Sequence, residues 1–456
     1  KMKEFLQIGI IYSIVKYLVM GMGVIKSFYI AAALGPSFLG SYAVILLVVE
    51  YLNYSNLGVY ASMNRDAAIH MDDHQKREYV DKIINVALSF TIIPIALLLI
   101  GYLSTELIEL DFLPNEVKDY SLMILILVAF HQLKIFLFRY LRLYSKFYQL
   151  TSLEFLGQVI NLSGVILFID AYTLNAVLWS VIASNIFFSM AAFFYVKGIK
   201  LRLDFSIIKY LIISGFPMLV YAVFLSLLSS VDRIVIASSF ESRTPLGYYQ
   251  FAFTGAHGLF LVFNSITILF YPKWLKYFYE EENSTGKLGA IKEQSLIIEL
   301  ILAFLSIIGI IFIPFFINLL LPEYEVSILI TQLLLIAFIG NGLTFITSTF
   351  LIANNHQIRI VPIVIVVIFS ALVMNYLFIS MGYGLYGIAF STIIAFFAYA
   401  FAMTFLTLKL SNSLSLFNLL FFYKRLIIFI PLSVVFLYEK YHVLWILLLF
   451  AIIYFN

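Results

Sequence analysis

Four cations stand in stretches of sequence too apolar to hold them comfortably: Lys16, Lys26, Lys134 and Arg233. A charge at the centre of a bilayer costs roughly 2.5–3.5 kcal/mol on insertion scales, so each needs a partner, water or a task. Snorkelling is the ordinary explanation, with a long side chain reaching back to the headgroups. Lys16 defeats it, because about eleven residues of helix, ~16 Å, separate it from the start of its segment. Ser13, Lys16, Met20, Gly23 and Ser27 recur at spacings of three and four, giving one small, weakly polar helix face with Lys26 beside it. Lys134 lies close to Arg139, Arg142 and Lys146, where snorkelling suffices. Arg233 follows Asp232, but adjacent helical residues point ~100° apart, so each is expected to find its partner elsewhere. Such cations can accept an anion through charge-assisted hydrogen bonds.

Acidic and imidazole groups at the same depth are Glu50, Glu154, Asp232, Glu299, His131 and His257. They suit either neutralisation of the cations or a relay for a coupling ion, and Asp232, Glu154 and Glu299 are the candidates for coupling to H⁺ or Na⁺. Glu50, Asn53 and Asn56 form one polar stripe, Glu154, Gln158 and Asn161 a second, and Asn341 and Thr344 a third. Polar stripes also serve as interhelical hydrogen bonds. Tyr248, Tyr249 and Phe253 could offer faces to sugar rings.

The elements that position these groups follow from composition. Of 456 residues 63% are apolar and 12% charged, against ~45–50% and ~25% in soluble domains. Soluble enzymes, nucleic-acid binders and disordered chains are excluded, and about 287 apolar residues allow up to ~14 helical spans. With no cysteine there is no disulfide, thiolate metal site or Cys nucleophile. The fold class is all-α and polytopic. Apolar runs predict spans at 5–33, 41–63, 83–103, 118–138, 151–169, 176–196, 207–238 and 247–271. Further spans are predicted at 293–320, 327–353, 358–380, 385–409, 424–438 and 441–456. The first is expected to act as its own insertion signal. Between them, 21 basic residues fall in one set of loops and three (Lys118, Arg243, Lys440) in the other, which places both termini in the cytoplasm. The loops hold no domain for soluble chemistry, and neither a catalytic residue nor a metal or organic cofactor is expected.

The sequence repeats at an offset of 207. Leu39-Gly40-Ser41-Tyr42 matches Leu246-Gly247-Tyr248-Tyr249, with Lys26 and Arg233 thirteen residues ahead of each. Six spans separate the copies, so the repeats are parallel: lobes at 1–206 and 207–410, then a C-terminal hairpin at 411–456. Substrate sites in such proteins lie between lobes that rock in alternating access.

These residues resemble a known family. Ala-Ala-Ala-Leu-Gly-Pro-Ser-Phe-Leu-Gly-Ser-Tyr (31–42), Asn-Leu-Gly-Val-Tyr-Ala-Ser-Met-Asn-Arg (56–65) and Asp232-Arg233-Ile-Val-Ile-Ala before Leu-Gly-Tyr-Tyr are similar to polysaccharide-transport proteins. These belong to the multidrug/oligosaccharidyl-lipid/polysaccharide exporter superfamily, and the Wzx-type O-antigen flippases are the nearest likeness. The resemblance implies translocation of a polyprenyl-diphosphate-linked oligosaccharide across the bacterial inner membrane, driven by H⁺, Na⁺ or the membrane potential. Lys16, Lys26, Arg233, Glu50, Asn53 and Tyr249 would contact the substrate. Membrane lipids, a glycan polymerase and other assembly proteins would be partners, and nucleic acid would not. A lipid II flippase is an alternative with the same chemistry. A drug or cation antiporter of the same superfamily is another, although it would want buried acids where this chain has Lys16 and Lys26. A membrane glycan polymerase would want a large outer loop that is absent.

Overall fold

In the computed structural model, residues 2–422 are described, apart from 72–73, 108–112, 197, 199, 282–283, 355 and 420. The hairpin expected at 424–456 lies outside the described residues. Among the described residues the chain is helical throughout and has no strand. Among the described residues nine helices are long and apolar enough to cross a membrane. The chain divides into two compact units, Lys1–Val223 and Phe224–Asn456.

The first unit holds α1 (Met2–Leu52), α2 (Val59–His70), α3 (Arg77–Phe90), α4 (Ile92–Leu107), α5 (Asn115–Asp119), α6 (Ser121–Leu143) and α7 (Phe147–Phe193). It also takes the first half of α8 (Phe205–Ser239), whose second half belongs to the other unit. The second unit continues with α9 (Thr244–Glu280), α10 (Ser284–Leu320), α11 (Ser327–Ala353), α12 (Ile360–Ser380) and α13 (Gly384–Leu410). At ~1.5 Å per residue, α1 and α7 are far longer than a ~30 Å bilayer core. Each is interrupted, α1 at Gly35 (φ 67°) ahead of Pro36 and α7 at Thr173 (φ 48°), so each supplies two crossings.

These interruptions recur in the second unit at the offset read from the sequence. Residue 207 places after Gly35 is Ser242, in the turn between α8 and α9; after Arg77, the start of α3, it is Ser284, the start of α10. Ser121–Leu143 maps inside α11, and Thr173 maps onto Ser380, the last residue of α12. The repeat is faint in side chains and plain in element boundaries.

The second predicted span departs from expectation. A continuous helix over 41–63 is predicted, but α1 ends at Leu52, a 3₁₀ turn follows at Asn53–Asn56, and Leu57 and Gly58 take left-handed backbone (φ 49° and 80°) before α2 begins. Non-helical backbone at membrane depth survives only when buried protein groups satisfy it. Gln132 of α6 does so: fully buried, its amide donates to the Asn53 carbonyl (2.8 Å) and the Ser55 hydroxyl (3.2 Å). Asn56 Nδ2 donates to the same Asn53 carbonyl at 2.8 Å, and Asn56 Oδ1 accepts from Gly58 N at 3.1 Å. Asn-Tyr-Ser-Asn is poor helix-interior sequence, because its side chains compete for the backbone.

Gly58 then meets α8 directly. A Cβ there would stand 2.5 Å from the Gly215 carbonyl oxygen, so the two backbones touch. One turn on, the Ser62 and Ser214 hydroxyls are 3.1 Å apart, and Arg65 Nη2 donates to Ser214 Oγ at 2.5 Å. The start of α8 is fixed by Asp204, whose Oδ1 accepts from the Ser206 hydroxyl (2.6 Å) and from the Ser206 and Ile207 N–H groups. The Ser206 hydroxyl, then the backbone bonds, hold that carboxyl below its usual range. The preceding linker is tied to α3, Lys200 N donating to Asn85 Oδ1 (2.9 Å) and Arg202 N to Ser89 Oγ (2.7 Å).

In the second unit α11 is the buried centre, packed by α9, α10 and α13. Gly340 lets α11 lie against the backbone of Phe396 and Phe397, 3.0 Å from where a Cβ would sit.

Gly58→Ala is expected to destabilise the purified protein by roughly 1–3 kcal/mol, since it meets both positive φ and a backbone neighbour. Gly101→Ala, in open space on α4, should be neutral or slightly stabilising. Melting curves in detergent compare the two.

Candidate functional site

Within the first unit the polar residues of α1, α6 and α7 converge. Lys16 Nζ donates to Glu154 Oε1 at 2.6 Å, with the two side chains 31% and 16% exposed. Gly23, two turns along α1, lets Gln158 of α7 approach to 3.7 Å from where a Cβ would sit. Lys16 and Gly23, on the small-residue face of α1, therefore pack on Glu154 and Gln158 of α7.

Lys134 joins this group, contrary to the snorkelling expected for it. Its Nζ donates to Asn185 Oδ1 on α7 at 3.1 Å and lies 5.4 Å from the Phe188 ring centre. It lies in electrostatic reach of Lys16, Lys26 and Glu154. Reach to the end of α6 is thus traded for a hydrogen bond inside the unit. Lys26 has neither a hydrogen bond nor an ion pair among the described residues. Among the described residues, Lys16, Lys26, Lys134 and Glu154 together carry a formal surplus of two positive charges. Around it Glu154 Oε2, Asn161 Oδ1 and Asn185 Nδ2 are buried without hydrogen-bond partners. His131, one turn before Lys134, is in electrostatic reach of it.

The second unit holds a different arrangement. Asp232 and Arg233 are 2% and 6% exposed. They meet more closely than adjacent helical positions lead one to expect, with Arg233 Nε 3.9 Å from Asp232 Oδ1. That is too long for a hydrogen bond, and the Nε–H is buried without a partner. Their hydrogen bonds go mainly to α9 and to backbone: Arg233 Nη1 to Gln250 Oε1 (3.3 Å), Nη2 to the Ser229 carbonyl (3.1 Å), and Arg233 N to Asp232 Oδ1 (2.7 Å). Tyr249 donates to Asp232 Oδ2 at 2.7 Å and lies 3.2 Å from Thr392 Oγ1. The guanidinium stacks over Phe253, 4.0 Å from the ring centre, and Phe253 stacks on His257 at 5.6 Å with 11° between the rings. Tyr249 is fully buried, so its ring is spent on packing and its hydroxyl on Asp232.

Glu50 is half-buried near the end of the second crossing and Glu299 half-buried on α10. Asn53 sits in the 3₁₀ turn, its carbonyl capped by Gln132 and its side-chain oxygen buried without a partner. Sequence reasoning missed Gln132, Lys134 and Asn185 as members of this polar interior. The signal available was His131-Gln132-x-Lys134, three polar residues within four positions of a helix otherwise apolar for most of its length.

No protein-family model matches the sequence, and no curated protein does. Solved structures do. An inward-facing multidrug resistance MATE family transporter of the MOP superfamily aligns with a TM-score of 0.70 at 13% identity, covering 88% of this chain and 98% of its own. The lipid II flippase MurJ, in an inward closed conformation, gives 0.65 at 15% identity, covering 97% of this chain and 96% of its own. The MATE transporter ClbM in complex with Rb⁺ gives 0.58 at 12%, covering 92% and 97%. The chain has the MOP-transporter fold. Its structural neighbours are transporters and flippases, and it is a multi-pass membrane protein. Within that fold the first unit of this chain brings together Lys16, Lys26, Lys134 and Glu154.

The Lys16–Glu154 pair should behave as a buried ion pair. Glu154→Gln is expected to lower thermal stability, whereas Lys16→Met with Glu154→Leu should recover most of the loss, with a coupling energy of roughly 1–2 kcal/mol in a double-mutant cycle.

Proposed function

We propose that the chain is a flippase that moves a polyprenyl-diphosphate-linked oligosaccharide repeat unit, of O-antigen or capsule type, across the bacterial inner membrane by alternating access. The observation that carries this reading is the positive surplus around Lys26. A diphosphate cannot cross hydrocarbon unneutralised, and an ammonium group with no hydrogen bond or ion pair among the described residues is the group it would engage. A cationic drug would be repelled by the same cluster, which weighs against an antiporter. The fold supports transport rather than catalysis. In this reading both termini are cytoplasmic, and a glycan polymerase and other assembly proteins act on the product.

Lys26, Lys16 and Arg233 would receive the diphosphate, with Glu50 and Asn53 supplying polar contacts to the glycan. Tyr249 would serve through Asp232, keeping that carboxylate oriented. Asp232, Glu154 and Glu299 are the groups through which H⁺ or Na⁺ would drive the cycle; the membrane potential alone is the other source. A lipid II flippase is the second reading, favoured by the likeness to MurJ over 97% of this chain. Its substrate presents the same diphosphate, so the cations serve either.

Lys26→Ala and Arg233→Ala should each abolish surface polysaccharide in a producing strain while protein level in the membrane stays normal. Unchanged polysaccharide in both variants refutes the assignment. Rescue of a strain lacking its lipid II flippase, without effect on surface polysaccharide, selects the second reading.

A further inference from the structure

The first unit holds another basic site, toward the C-terminal end of α6. Arg139 and Arg142 stand three residues apart, so their side chains share a face of the helix and repel one another. Arg139 is partly buried, Arg142 is exposed, and among the described residues neither guanidinium has a hydrogen bond or ion pair. Among the described residues the titratable groups in reach of Arg139 are Arg142 and Tyr60, with no carboxylate. Among the described acids, Asp66 pairs with Arg65 at 2.9 Å and Glu78 with Lys82 at 3.0 Å.

Tyr60 supplies an independent observation. It is 1% exposed, its ring packs against Phe136 at 6.1 Å, and its hydroxyl is buried without a hydrogen-bond partner. A buried unpaired hydroxyl is unfavourable by about 1–3 kcal/mol, so a missing partner is itself informative. The surroundings are rigid, since Tyr60, Met63, Phe136, Leu137, Tyr140 and Leu141 belong to one buried core. A fixed O–H donor in reach of the Arg139 guanidinium, with Arg142 one turn further on, suits an acceptor-only anion with several oxygens. Arginine's planar fork matches a phosphoryl group in particular.

We propose that Arg139, Arg142 and the Tyr60 hydroxyl bind the phosphoryl group of a lipid headgroup, at a site separate from the Lys16/Lys26/Lys134 cluster. Five residues, ~7.5 Å of helix, separate Arg139 from Lys134, so the two sites are stations along one helix. That the lipid is a polyprenyl diphosphate rests on the flippase reading; the phosphoryl chemistry does not.

The test is binding to the purified full-length chain in detergent, with three probes: inorganic pyrophosphate, farnesyl diphosphate and phosphatidylglycerol. Arg139→Gln should weaken binding of the preferred probe about tenfold or more, and Tyr60→Phe several-fold, the latter keeping the ring that packs on Phe136. Preference for farnesyl diphosphate supports the site with the lipid carrier as its ligand; preference for phosphatidylglycerol supports it with bulk lipid. Wild-type affinity for all three probes in both variants, or no binding to the native chain, overturns it. Because the assay reads binding alone, loss of polysaccharide export with these affinities intact bears only on the flippase reading.

Discussion

A charge or an open peptide group inside hydrocarbon has no water to fall back on, and this requirement organises both units. Lys16 meets it with Glu154, Lys134 with Asn185, and Arg233 with Gln250, a backbone carbonyl and the face of Phe253. Each solution uses a residue from a different helix or a different turn, so each also ties elements together. The exceptions stand out because the rule is so strict. Among the described residues Lys26 and Arg139 are cations without a hydrogen bond or ion pair, the Tyr60 hydroxyl is a buried donor without an acceptor, and these are the groups to which ligands are assigned.

The same requirement explains where helices can afford to stop. The break at 53–58 places backbone polar groups at membrane depth, and Gln132 exists in an apolar helix to receive them. The breaks at Gly35 and Thr173 turn two very long helices into pairs of crossings. Sequence chemistry at these points differs: a Gly-Pro pair at one, an Asn/Ser-rich turn at another, and at Thr173 no breaker residue at all. The breaks at Gly35 and Thr173 have counterparts at helix ends in the second unit, whereas the turn at 53–58 corresponds to the interior of α9.

Fold class and the approximate extent of the spans were legible because hydropathy responds directly to the bilayer. The offset of 207 was legible from Leu-Gly-x-Tyr and a basic residue, and it anticipates element boundaries far from those residues. The break in the second span was not legible, since its stabilising partner lies 79 positions away in Gln132 and periodicity carries only local information. Lys134 was misread for a related reason: distance along the helix says how far a side chain is from the membrane surface but nothing about Asn185 on its neighbour. The pairing of Asp232 with Tyr249 was equally hidden, because an aromatic residue before a Phe looks the same whether it faces a ligand or a carboxylate.

The crossing of Gly58 with Gly215 has a mechanical meaning. Where two helices touch through side chains, a rotamer change can open or wedge the joint; where backbone rests on backbone, nothing is left to rearrange. The first half of α8 therefore follows α2 as a solid follows its bearing. The same helix runs on, past Pro217, into the residues that hold Asp232 and Arg233. Any displacement of α2 is passed to the first half of α8 with no side chain between them to absorb it.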